Sequence, residues 1–237
     1  MAGKVTVTWL GHASFHIVSP TGKVVLIDPW LDNPKCPPDR KSFDRVDLIL
    51  VTHGHFDHLG NTVDLARQHA ARVVVIYEIS VWLESKGIRN VTGMNKGGTV
   101  DVDGIRVTMV PADHSSGIQD GDQIVYGGDP VGFVVQFENG VRIYHAGDTN
   151  VFGDMALIGK LYRPDVALLP IGGLFTMSPP EAAEAIRLLG VRKVIPMHYG
   201  TFPILTGSPE ALRAATRDIP DLEIIAIQPG ESVAFGE

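Results

Sequence analysis

Between a β-branched run at Leu48–Thr52 and a helical pattern at Thr62–His69, the chain reads Thr52, His53, Gly54, His55, Phe56, Asp57, His58, Leu59, Gly60. A strand therefore hands over to a helix across a loop carrying three imidazoles and a carboxylate within six consecutive residues. Such a cluster makes a poor core and an ordinary surface, but imidazole nitrogen and carboxylate oxygen are the donors that zinc and similar divalent metals take. Gly54 is expected to give the backbone freedom for a sharp turn between two donors. The segment is too compact for all four side chains to converge on one tetrahedral ion. We therefore expect His53 and His55 on one metal and Asp57 and His58 on a second, each set needing further ligands from elsewhere in the chain.

The surrounding pattern sets the kind of scaffold. Strand-like runs recur at 5–10, 14–18, 23–27, 48–52, 73–77, 105–110, 133–137, 141–144, 166–169, 193–197 and 222–227. Helical patterns fall at 62–69, 79–86, 155–161, 179–189 and 209–217. The fourth of these is the best defined: Ser178 caps it, Pro179 suits its first turn, Glu181 completes a capping box, and Gly190 stops it. Its buried face is expected to be Ala182, Ala185, Ile186 and Leu189. Ser208 and Pro209 repeat the recipe for the fifth, so both read as amphipathic helices laid on a sheet. Early strands joined by tight turns, then strand and helix alternating in both halves, suggest two packed sheets with helices outside. With no linker or internal repeat, residues 1–237 read as a single domain. The polar, Gly-rich stretch Asp113–Gly132 reads as the longest irregular loop, the kind of segment that often carries function.

Composition narrows the partners. Twenty Lys plus Arg against 27 Asp plus Glu give a formal charge of -7, the wrong sign for a chain that must neutralise phosphate backbones, so nucleic acid is not expected as a partner. The longest apolar runs are strand-sized, and Met1–Val5 runs into a strand pattern without the features of a signal peptide, so neither a membrane association nor export is expected. A single cysteine, Cys36, forms no internal disulfide and agrees with a reducing, cytoplasmic location; it reads as an incidental thiol in a Pro-rich loop.

The HxHxDH segment after a strand resembles the signature of the metallo-beta-lactamase superfamily, and later motifs follow in order. Pro111-Ala112-Asp113-His114, Tyr144 to Thr149, and Pro196 to Phe202 resemble the further ligand motifs. The resemblance covers nearly the whole chain and implies an α+β fold, a four-layer αββα sandwich of two mixed sheets. It also implies that His114 joins His53 and His55, that Asp148 bridges both metals, and that His198 completes the second site with Asp57 and His58. Trp9-Leu10-Gly11-His12-Ala13, Asp28-Pro29 and Gly147-Asp148-Thr149 are most similar to a branch of uncharacterised metal-dependent hydrolases. L-ascorbate-6-phosphate lactonases and N-acyl phosphatidylethanolamine phospholipases D belong to the same branch. The chain departs from true class B beta-lactamases, which keep a cysteine ligand where Asp148 stands, and from flavodiiron oxygen reductases, which use an acidic residue where His55 stands.

The resemblance implies a metal-dependent hydrolase with two divalent ions, Zn2+ first, although Mn2+, Fe2+ and Ni2+ suit the same mixed donors. A hydroxide bridging the ions would attack a small ester, lactone or phosphodiester, with Asp57 passing the proton to the leaving group. His12 is expected in or beside the active site. Asp28, Thr149 and His145 are candidates for orienting the ligands, and Tyr199 and Thr201 for touching substrate. His16 and His69 read as structural. The alternatives are a non-catalytic metal-binding or sensing module and an iron-dependent redox enzyme on the same fold. Sequence fixes neither the substrate nor the oligomeric state.

Overall fold

The computed structural model describes residues 3–236, so the reading of Met1–Val5 falls partly outside the described residues. In chain order the first half gives β1 (Val5–Trp9), β2 (Phe15–Val18), β3 (Val24–Ile27), β4 (Leu48–Leu50), α1 (Phe56–Leu59), α2 (Thr62–His69), β5 (Arg72–Ile76), α3 (Tyr77–Ser85) and β6 (Val91–Met94). The second gives β7 (Thr99–Val102), β8 (Ile105–Pro111), β9 (Gly117–Asp120), β10 (Gln123–Tyr126), β11 (Val131–Gln136), β12 (Arg142–His145), α4 (Met155–Tyr162), β13 (Val166–Pro170), α5 (Pro179–Leu189), β14 (Lys193–Met197), α6 (Pro209–Ala215) and β15 (Glu223–Ile224). The last strand, β16 (Ser232–Phe235), returns to the first sheet.

Two mixed seven-stranded sheets result, ordered β16-β1-β2-β3-β4-β5-β6 and β15-β14-β13-β12-β11-β8-β7. Their plans match. In each, the pairing is antiparallel up to one strand and parallel beyond it; that strand is β3 in the first sheet and β12 in the second. Inward residues of both sheets, such as Phe15, Ile17 and Val25 against Phe133, Ile143 and Leu168, form one buried cluster. On the outer face of the second sheet, Ala167, Leu169 and Val194 pack with Ala182, Ala185, Ile186 and Leu189 of α5, the face expected from the sequence. Strand β13 is thus buried on both sides, which is why it reads as a continuous apolar run rather than an alternation. Each buried Val, Leu or Ile among them contributes about 1.5–3 kcal/mol relative to exposure. The Glu181 carboxylate accepts hydrogen bonds from the Ser178 backbone N–H and hydroxyl, both at 2.7 Å, and the Ser208 hydroxyl accepts from the Ala211 N–H.

The structure corrects the sequence reading at several points. The stretch Asp113–Gly132 is not one irregular loop, because β9 and β10 form an antiparallel hairpin within it. Strands β6, β7 and β16 are also additional. All three lie at sheet edges and are partly exposed or interrupted by polar residues, so they lack the apolar runs used to find strands. The expected strand at 222–227 shrinks to two residues at the opposite edge. No helix of the described residues is long and apolar enough to cross a membrane.

Candidate metal centre

The donor residues stand just beyond strand ends along one rim of the sandwich. His12 follows β1, Asp28 follows β3, and His53 to His58 follow β4, with Asp57 and His58 in the short helix α1. From the second sheet, His114 follows β8, Asp148 follows β12 and His198 follows β14. Loops at the carboxyl ends of parallel strands and at the strand where pairing switches are where open sheets present ligands. His12, Asp28 and His198 hold left-handed backbones, with φ of 54°, 48° and 57°. For residues with a Cβ this costs about 1–3 kcal/mol each, a strain tolerated only where the surroundings fix it.

These side chains meet in adjoining groups. His53, His55 and His114 each offer a donor atom within 4.8 Å of the others. The same holds for His12, Asp57, His58 and His198, and for His53, His58 and Asp148. Asp148 lies between the groups, with Oδ1 3.2 Å from His58 Nε2 and Oδ2 3.0 Å from His198 Nε2 and 3.7 Å from His114 Nε2. Yet His58 Nε2, Asp148 Oδ1 and both ring nitrogens of His198 are buried without a hydrogen-bond partner. Buried polar atoms are seldom left so. Convergent, unpartnered nitrogen and oxygen atoms of this kind fit divalent cations, which require deprotonated donors pointing at a common centre.

The tautomers of the donors are set from behind. The Asp28 carboxylate accepts from the Thr52 N–H at 2.7 Å, from the Thr52 hydroxyl at 2.7 Å and from His58 Nδ1 at 2.7 Å. With its proton committed to Asp28, the Thr52 oxygen accepts from His53 Nδ1 at 3.0 Å. Asp28 therefore turns the Nε2 atoms of His53 and His58 toward the site, the carboxylate–histidine arrangement that raises ligand basicity. Thr149 is buried, and its hydroxyl accepts from the Asp113 N–H at 3.0 Å, tying the strand end bearing His114 to the one bearing Asp148. The Gly147 N–H donates to His145 Nδ1 at 3.1 Å, so Nε2 carries the proton and donates to the Ala13 carbonyl at 3.0 Å. His145 thus braces the turn into Asp148 from outside the site.

Burial holds His53 well below the ordinary imidazole range and also lowers His55 and His114. All three are neutral and available as donors. Burial opposes charge on His58 too, but Asp148 and Asp28 on either side outweigh it and raise that ring. Burial would raise Asp148, and the facing His198 and His58 hold it well below the usual carboxylate range. A positive charge between His58 and Asp148, whether proton or metal, is what this pocket favours.

His12 Nε2 lies 2.9 Å from Asp57 Oδ2, and Nδ1 accepts from the Thr201 hydroxyl at 3.0 Å. Burial lowers His12 to about 4. Burial would raise Asp57, but the hydrogen bond from His12 brings it to about 2. Thr201 is therefore occupied with His12. Tyr199 stacks on Trp9 with ring centroids 5.2 Å apart and lies outside the pocket lining. His16 is half-buried beside Phe43, and His69 ends α2. Cys36 is buried, which raises its thiol to about 11 and leaves it unreactive. Gly54 does not hold a positive φ; a Cβ there would stand 2.6 Å from Ile118 Cγ1, so glycine serves the close approach to the β9–β10 hairpin rather than a turn.

A pocket of about 760 Å³ opens above these groups, lined by His55, Asp57, His114, Asp148 and His198 below and by Phe56, Ser115, Gly117, Gln119, Ile124, Phe175 and Phe202 around them. Ser115, Gly117, Gln119 and Ile124 lie in the stretch Asp113–Gly132 expected to carry function, but which of its residues face the pocket, and the place of Phe175 in the wall, were not legible, because lone aromatic and aliphatic residues in loops carry no pattern. Phe56 had the strongest available signal, its place between donor residues in the motif.

The family model described as a beta-lactamase superfamily domain matches residues 23–199. The chain is 54% identical over 236 residues to a UPF0173 metal-dependent hydrolase of Rubrobacter xylanophilus, covering 98% of each chain. It is 51% identical over 227 residues to one of Koribacter versatilis, covering 95% of this chain and 96% of that one. Among solved structures, Igni18, a metallo hydrolase of the archaeon Ignicoccus hospitalis, superposes with a TM-score of 0.87 at 36% identity over 99% of both chains. With the fold, the donor loops and these relatives in agreement, the chain belongs to the beta-lactamase superfamily and, within it, to the UPF0173 metal-dependent hydrolases.

Proposed function

We propose that the chain acts as a single-domain, cytoplasmic dinuclear hydrolase, with His53, His55 and His114 holding one ion, Asp57, His58 and His198 the other, and Asp148 shared. The observation that carries this reading is the adjoining groups of donor atoms, which meet where His58 Nε2, Asp148 Oδ1 and the His198 ring nitrogens are buried and unpartnered. Zinc is the first candidate, and manganese, iron or nickel suit the same donors. A bound pair of ions would lower the pKa of a shared water from about 15.7 towards 7 and polarise the scissile carbonyl or phosphoryl oxygen of a small ester, lactone or phosphodiester.

The remaining work falls to the chain. Asp57 faces the pocket with Oδ2 tied to His12. That places it to take a proton from the attacking water and deliver it to the leaving group. His12 orients Asp57, whose carboxylate requires the proton on His12 Nε2, and the Thr201 hydroxyl then donates to Nδ1. Asp28 holds His53, through Thr52, and His58 in the rotamers that aim at the ions.

The test is a panel of p-nitrophenyl esters, lactones and bis(p-nitrophenyl) phosphate, offered to chelator-stripped protein and to the same protein reloaded with zinc or manganese. Turnover that vanishes on stripping and returns on reloading is expected. Full metal uptake without turnover of any of these classes would instead indicate a binding or sensing module.

A further inference from the structure

Exposed apolar side chains gather at the mouth of the metal centre. Phe56, Ile124 and Phe175 are 58%, 82% and 54% exposed, and together with half-buried Phe202 they wall the pocket. No lysine or arginine lines it, and its polar groups beyond the metal donors are those of Ser115 and Gln119.

The chain holds Ile124 in this position. In the β9–β10 hairpin Ile124 pairs with Gln119 and Val125 with Ile118. Ile118 is buried, so Ile124 points to the opposite side, toward the pocket. Gly117 leaves the room for it, since a Cβ there would stand 2.7 Å from Ile124 Cγ2. The hairpin is fastened to α3 and its C-cap by Asp120, whose carboxylate accepts from Trp82 Nε1 of α3 at 2.9 Å and from Nζ of the capping Lys86 at 2.7 Å. Held on a braced hairpin above a polar floor, Ile124 adds apolar surface to the pocket wall, the mix of apolar lining and few polar groups found in small-molecule sites.

We propose that this wall is the subsite for an uncharged, apolar arm of the substrate. Resting on the hydrolase reading above, this makes the substrate class a neutral ester or lactone bearing an aliphatic or aryl group of several carbons. A substrate with an anionic outer part is disfavoured, because its charge would be desolvated against Phe56, Phe175 and Phe202 with no guanidinium or ammonium on the wall to receive it.

The experiment uses three hydroxamic acids with one common metal-binding head, the acetyl, hexanoyl and monosuccinyl forms, titrated calorimetrically into zinc-loaded protein. The hexanoyl compound should bind at least tenfold more tightly than the acetyl, and the succinyl compound no better than the acetyl. The hexanoyl-to-acetyl affinity ratio should fall at least fivefold in Ile124→Ser and in Phe175→Ser, with metal content checked by elemental analysis. Equal affinities for the hexanoyl and acetyl compounds, or a ratio unmoved by both substitutions, would overturn the subsite. The p-nitrophenyl acetate and hexanoate esters read the hydrolase reading separately: a hexanoyl preference in binding with neither ester hydrolysed would keep the subsite and remove the hydrolase.

Discussion

Asp28 and Asp148 stand just past corresponding strands, β3 in the first sheet and β12 in the second, where antiparallel pairing gives way to parallel. Both are buried and both approach His58, Asp28 at Nδ1 and Asp148 at Nε2. Their uses differ. Asp28 spends its oxygens on Thr52 and His58, whereas Asp148 keeps Oδ1 without a hydrogen-bond partner at the centre of the donor groups. His12 and His114, past β1 and β8, form a second such pair: His12 is engaged by Asp57 and Thr201, while His114 is half-open to the pocket. The same strand plan thus delivers side chains to the same rim, and what each does is decided by whether its polar atoms are already satisfied.

The largest expected effect breaks that comparison at Asp148. Asp148→Ala should lose or scramble both ions and lower kcat/KM at least a thousandfold, read by elemental analysis and ester turnover; normal activity at full metal content would refute its shared position. Next, His114→Ala should lose one ion preferentially, whereas His12→Ala should retain both and lower kcat by about 100-fold, the low end of what general acid–base support contributes. Equal metal loss in the two variants would show that His12 is itself a ligand. Asp28→Asn keeps the shape of the side chain but removes an acceptor, and should weaken metal affinity about 10–100-fold; since Asp28 serves His53 and His58 alike, both ions should be affected, and an effect confined to one would break the relay through Thr52. The smallest effect lies far from the rim. Ser178→Ala removes the cap of α5 and should lower stability by about 1 kcal/mol in urea unfolding without changing metal content.

The two halves also differed in how far sequence exposed them. His53 to His58 announce themselves, because four donors crowd one loop between a strand and a helix. His114, Asp148 and His198 are each solitary in their stretch, and only the resemblance to a known family linked them to that loop. Local pattern carries no information on which distant strand ends share a rim; that is settled by the sheet order, which depends on non-local pairing. The buried strands and the capped helix α5 were legible because burial on one or both faces writes a period into the chain. The edge strands and the β9–β10 hairpin were not, since half-exposed residues write none. The pocket wall was only partly legible for a related reason: Ile124 lies in the stretch Asp113–Gly132 expected to carry function, but neither it nor Phe175 stands out from its neighbours until the fold brings them over the donors.

If the two adjoining donor groups hold two ions, the metal stoichiometry of the protein must show it. Protein purified without added metal or chelator, then reconstituted with zinc and freed of excess, should carry close to two equivalents per chain by elemental analysis. One equivalent at saturation, or none, would rule out a dinuclear centre.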